Sequence, residues 1–161
     1  MNLSCNPCPL SSAKLTVKLS EEIVLNGQQQ GNVNTLKIEG INEISKRIVT
    51  ITTSEHELMS FSSIVGKGNY SIADMRYIRF TNLDDTNHLF LTFKNEDNDE
   101  FVVKLDKGQS FIYNGDLAGG NNDTMEANAG TTAVSNVGYL LSVSAQADTA
   151  SCDLELFIAS V

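Results

Sequence analysis

The chain has 161 residues, enough for one domain. A domain of that size buries roughly 68–70% of its unfolded surface and needs no disulfide to hold a core. Hydrophobic residues make up 41% of the sequence, and no run of about 18 apolar residues is present, which predicts a soluble protein with no membrane partner. Lys and Arg number 11 against 20 Asp and Glu, a formal net charge of -9 that repels a phosphate backbone. The longest basic cluster is Lys46-Arg47, so no nucleic-acid partner is expected.

Met1 to Ser12 hold both prolines, Pro7 and Pro9, and two of the three cysteines, in the run Cys5-Asn-Pro-Cys8. The stretch lacks the basic start and the apolar core of a secretory signal, which points to synthesis in the cytoplasm or delivery by lysis. It reads as a flexible N-terminal arm over residues 1–12, ahead of a single domain over 13–161. A Cys-x-x-Cys makes half of a zinc site when a second pair completes it, and a redox pair when it opens a helix after a strand. Neither context is supplied, because Cys152 stands alone and the only histidines are His56 and His88. Cys5 and Cys8 are therefore read as structural or incidental thiols, with no metal, cofactor or catalytic role assigned to any residue.

Leu15, Val17 and Leu19 alternate with Thr16 and Lys18 and predict a first strand, which Ile23 to Leu25 continues or follows after Glu21-Glu22. The run Gln28 to Asn32 is expected to turn, and Leu36 and Ile38 to form a short strand closed by Gly40. Ile48-Val49-Thr50-Ile51-Thr52-Thr53 is β-branched throughout, which favours a pleated surface over a helix. In Glu57 to Val65 the positions Leu58, Phe61 and Val65 also match helical spacing. Strand is favoured there, because Ser60, Ser62 and Ser63 are weak helix formers and Gly66 ends the run early.

From Met75 to Asn114 the apolar residues take every second position in successive segments, and the stretch reads as a β-meander. Ile78 and Phe80 oppose Tyr77, Arg79 and Thr81; Leu89, Leu91 and Phe93 oppose Thr92 and Lys94; Phe101, Val103 and Leu105 oppose Glu100 and Lys104. Turns are expected at Asp84–Asn87, Asn95–Asp99 and Asp106–Gly108, where Asp and Asn side chains bond their own backbone. A fourth strand follows at Ser110 to Tyr113. Asp116 to Thr132 is rich in Gly, Asn, Ala and Asp and is predicted to be a long surface loop, a candidate contact element. Two strands close the chain: Val137 to Ala145, with Tyr139, Leu141, Val143 and Ala145 on one side, and Ser151 to Val161, with Cys152, Leu154, Leu156 and Ile158 against Asp153 and Glu155. The fold class predicted is an all-β antiparallel sandwich.

Chemistry is scarce in this pattern. His56 and His88 lie in Ser54-Glu-His-Glu57 and Thr86-Asn-His-Leu89, and neither context forms a nucleophile elbow. The acidic turn Asn95 to Asp99 lacks the sixth-position glycine and twelfth-position glutamate of a calcium loop, since Phe101 starts a strand directly after Glu100. Two facing carboxylates would suffice for a glycosidase, but nearly all the acids fall in turns or on the polar side of strands. Tryptophan is absent and the aromatics are dispersed, so no stacking platform is evident.

Two passages resemble small virion proteins of tailed bacteriophages, including phages of marine cyanobacteria. They are Tyr77-Ile-Arg-Phe-Thr-Asn-Leu-Asp-Asp-Thr-Asn87 and Ala147-Asp-Thr-Ala-Ser-Cys-Asp-Leu-Glu-Leu-Phe157. In that group a strand ending in TNLD-x-TN leads through two further strands to a Gly-led approach to a fourth, and a late A-x-A-D-T-A leads into the last. Here these fall at Arg79–Asn87, Leu89–Phe93, Phe101–Leu105, Gly108–Phe111 and Ala145–Ala150. The likeness covers about the last half of the chain and does not extend to the Cys5–Cys8 run. It implies a jelly-roll-like fold and a structural, non-enzymatic virion protein: a capsid decoration or cement protein on the outside of a phage head, assembled in the host cytoplasm. Its partner would be the major capsid protein or another virion protein, and its copies would form a homo-oligomer or a symmetric array. A tail or fibre component, and a non-enzymatic glycan- or calcium-dependent binding module, are the alternatives.

Overall fold

The computed structural model describes residues 12–64, 66, 68–125 and 137–161; Cys5 and Cys8 lie outside that range. The described residues contain strands and no helix. In chain order the strands are β1 (Ala13–Ser20), β2 (Val24–Leu25), β3 (Gln28–Gln29), β4 (Val33–Ile41), β5 (Glu43–Ile51), β6 (His56–Ser62) and β7 (Asn69–Ser71). They continue with β8 (Met75–Asn82), β9 (Leu89–Asn95), β10 (Glu100–Leu105), β11 (Ser110–Asn114), β12 (Leu140–Ala147) and β13 (Cys152–Ser160). The all-β expectation holds, and the serine-rich Glu57 segment is a strand.

Two sheets form the sandwich, one ordered β11-β8-β13-β5 and the other β10-β9-β12-β6-β7. All neighbours are antiparallel except β6 and β7, which run parallel. Without the short β7, eight strands remain, four in each sheet. First then pairs with last (β5 with β13), second with seventh (β6 with β12), third with sixth (β8 with β11) and fourth with fifth (β9 with β10). Every second side chain of each sheet points inward. Ile78, Phe80, Leu154, Leu156 and Ile158 of one sheet share a core with Leu89, Leu91, Phe93, Val143 and Ala145 of the other. Burying each large side chain in that layer is worth about 1.5–3 kcal/mol.

The meander reading is corrected by this pairing. β8 lies in one sheet and β9 in the other, β9 and β10 form a hairpin, and β11 returns to pair with β8. Alternation reports that a strand has one buried face, and is silent about which sheet owns it. The crossing from β8 to β9 is held by Asn82, which is fully buried. Its Nδ2 donates to the carbonyls of Asn87 at 3.0 Å and Leu105 at 3.2 Å, while its Oδ1 accepts from the Asp84 amide at 3.0 Å. In β12 the register slips between Leu140 and Ser142, so Leu140 joins Val143 and Ala145 in the core and the expected Tyr139–Leu141 parity is broken.

β1 and β4 form a separate two-stranded ribbon, the hairpin arm, lying on the outer face of the β11-β8-β13-β5 sheet; the arm expected over residues 1–12 is another stretch and, except for Ser12, lies outside the described residues. The turn at its far end is Asn26-Gly27, both at positive φ (53° and 77°), the backbone that a two-residue hairpin of right-handed twist requires. The expected turn at Gln28–Asn32 is thus displaced, since Gln28 and Gln29 pair back with Leu25 and Val24. Gly40 does not close β4. It sits at φ 78° where the register shifts, letting the strand bend and reach Ile41.

Candidate interaction surface

The ribbon is amphipathic because its strands alternate. Leu15 faces Ile38, Val17 faces Leu36, and Leu19 faces Asn34 on the side turned to the sheet. The other side carries Thr16, Lys18 and Lys37, with Lys14 bound to Glu39 at 2.6 Å. At the root, Ile38 and Ile41 pack with Tyr77 and Ala159 into a second small core, with Leu15, Val17, Leu36, Phe157 and Val161 around it. Burial then fades along the arm. Ile38 and Ile41 are each 2% exposed, whereas Leu19, Ile23, Val24, Leu25 and Val33 are 53–66% exposed. Leu19 carries the sheet-facing stripe past the surface that covers it, whereas Val33, paired with Ser20, lies on the opposite face of the ribbon.

Where the arm passes over Tyr77 and reaches the β11 edge, it leaves two open grooves. One, of about 420 Å³, runs between β1 (Leu15, Thr16, Val17, Lys18), on the edge away from β4, and a floor that includes Tyr77, Ile112 and Phe157. The other, of about 300 Å³, lies under Val17, Leu19 and Leu36, over Tyr77, Ile112 and Asn114. Arg79 borders the first groove and donates to Glu155 at 2.5 Å and to the Thr81 hydroxyl; Lys46 approaches the second oxygen of Glu155 at 3.2 Å. Hydrogen bonds from Arg79, and then from Lys46, hold the Glu155 carboxyl below the usual carboxylate range. Burial pushes the Tyr77 hydroxyl up.

The residues weighed for chemistry are dispersed. His56 is exposed at the start of β6. His88 lies edge-on to Phe90 with its Nε2 3.6 Å from Asp148. Cys152 sits nearby, but its thiol is directed at the carbonyls of Ala150 (3.5 Å) and His88 (3.6 Å) rather than at the ring. Burial, and then the charges of Asp84 and Asp153, raise that thiol above its ordinary range, the reverse of an activated nucleophile. In the acidic turn the Asn95 side-chain oxygen accepts from the amides of Asp97 and Asp99, and Glu96 accepts from the Tyr139 amide at 2.6 Å. These oxygens shape the hairpin. Among the described residues no cluster of three or more His, Cys, Asp or Glu is placed to hold a metal ion.

The Asp116–Thr132 segment is described to Met125; Asp116, Leu117, Ala118, Asn122 and Asp123 are exposed, as a surface loop requires, but the segment also turns inward. Asn121 and Met125 are buried. The Asn121 Nδ2 donates to the Leu140 carbonyl at 2.7 Å, and its Oδ1 accepts from the Thr124 hydroxyl at 2.9 Å and the Leu140 amide at 3.4 Å. Gly120, at φ 70°, lets the backbone pass against the Ala73 carbonyl where a Cβ would collide. Composition signalled a turn-rich segment but not that one of its asparagines plugs the end of the sandwich.

Sequence reasoning missed the arm as a hairpin standing apart from the two sheets, although the Asn26-Gly27 pair between apolar runs is its signature. No protein-family model and no curated protein matches the chain.

Proposed function

We propose that this chain is a structural, non-enzymatic virion protein of a tailed phage, a decoration protein bound to the outer surface of the head. The observation that carries the reading is the strand order β5-β13-β8-β11 beside β6-β12-β9-β10. This wrapped pairing of first with last strand supports a jelly-roll-like reading of the sandwich, and β8 to β13 hold the residues that resemble virion proteins. The projecting arm supplies what an attached protein needs. Interfaces that hold usually bury upward of about 1,000 Å², and an extended hairpin reaches that area more readily than a flat sheet does. The acidic body suits a basic rim on the shell and keeps copies from coating packaged nucleic acid.

The test is to add the full-length chain, a version starting at Ser12, and a version with Ser20–Val33 replaced by a tight turn to heads that lack the protein. Bound copies and resistance to heat are then measured. Full-length protein is expected to bind near the stoichiometry of the capsid protein and to raise the temperature of head disruption. Loss of binding in the shortened-arm version would assign the contact to the arm. No binding by any version, or a few copies confined to the tail, would replace this reading with the tail or fibre role.

A further inference from the structure

We infer that copies of this chain associate with one another by placing the tip of one arm in the groove beside β1 of another. Two unexplained features of the same molecule fit each other. The tip carries Ile23, Val24 and Leu25 with more than half of each side chain in water, and the groove has an apolar floor of Tyr77, Ile112 and Phe157. Four consecutive residues of β1 border that groove, so one wall is a strand edge. Among the described residues β1 pairs only with β4, so the amides and carbonyls of its other edge lie outside any ladder. An extended segment docks on such an edge by backbone pairing while alternate side chains settle on the floor.

Charge selects the occupant. The tip leads with Glu21-Glu22; of the two cations bordering the groove, Arg79 is already paired with Glu155, which leaves Lys18 to receive an acidic tip. Cations are the minority in a chain of net charge -9, and most surfaces of a second copy would repel an acidic tip. The arm thus meets, on another copy, an apolar floor bordered by the Lys18 ammonium. Each copy presents both halves of the contact, so the association closes on itself or propagates as an array.

The inference rests on the decoration reading for its setting only, and its test is made in free solution. Full-length protein carrying a photo-crosslinking phenylalanine at Val24 is mixed with heavy-nitrogen-labelled protein, illuminated and digested. Mixed-isotope cross-links from position 24 to the peptide holding Ile112 are expected, with a sedimentation mass above the monomer. Val24→Asp on the tip and Ile112→Glu in the groove, each checked for an unchanged circular dichroism spectrum, are each expected to weaken association about tenfold or more. A monomer at every concentration, or cross-links to other surfaces, overturns the contact. A monomer that still binds heads leaves decoration standing without it, whereas association without head binding supports the contact and removes the decoration role.

Discussion

Phe80 of β8 and Phe93 of β9 meet edge to face across the sandwich, with ring centroids 5.8 Å apart and planes at 85°. Phe93 also stacks on Phe101 at 4.9 Å and leans on Phe111 at 5.3 Å, which places it at the joint of the two sheets. Phe93→Ala should lower unfolding free energy by about 3–5 kcal/mol, read from urea midpoints at constant slope. Val102→Ala, on the wet face of the neighbouring strand and 59% exposed, should stay within about 0.5 kcal/mol. Equal effects at the two positions would contradict the assignment of faces.

Asn121→Ala should strand the Leu140 carbonyl and amide that the side chain now serves. Buried polar groups left without partners cost about 1–3 kcal/mol each, so a loss of about 2 kcal/mol or more is expected, with faster amide exchange at Leu140. The adjacent Asn122 is exposed, and its alanine variant should be nearly neutral. Thermal unfolding of the pair measures the contrast.

Glu155 gives the stability a pH dependence of known sign. Arg79 and then Lys46 hold its carboxyl below the ordinary glutamate range, so the folded state binds the proton less tightly than the unfolded one. The stabilisation is fully present above the unfolded pKa and is lost as pH falls through the lower folded value. Urea midpoints of the native chain and Glu155→Gln should differ at neutral pH and converge in strong acid. A gap that stays constant across the range would remove the ionic origin.

Cys152 should be inert in the native state. Its thiol is 1% exposed and its ionisation is disfavoured by burial and by two nearby acids. In a Cys5→Ser, Cys8→Ser background, a disulfide reagent should label it only as the protein unfolds, at the rate of global opening. Rapid labelling of folded protein would contradict the burial.

Strands were legible because period-two alternation follows directly from one buried face, as Leu154, Leu156 and Ile158 against Asp153 and Glu155 show. Sheet membership was not, because Phe80 and Phe93 present the same pattern whether they are neighbours in one sheet or opponents across two. Asn95 opens a turn where one is expected, but Asn82, just before the expected Asp84 turn, and Asn121, in the expected loop, are fully buried through partners distant in sequence, Leu105 and Leu140. The arm escaped notice for a different reason. Leu15, Val17 and Leu19 look alike in sequence, and only the position of Tyr77 and Ile112 beneath them determines which is covered and which overhangs.

The pairing of β5 with β13 also sets an order of events during synthesis. β13 is inserted between β5 and β8, so the β11-β8-β13-β5 sheet is split in two until Cys152–Ser160 has left the ribosome. Until then β5 shows water one bare edge more than it does when folded, along a strand containing Ile48-Val49-Thr50-Ile51. Such edges invite pairing between nascent chains, and topologies closed by distant strands fold slowly. Lys46 and Arg47 interrupt that strand with like charge, a local deterrent to self-pairing during the interval before closure.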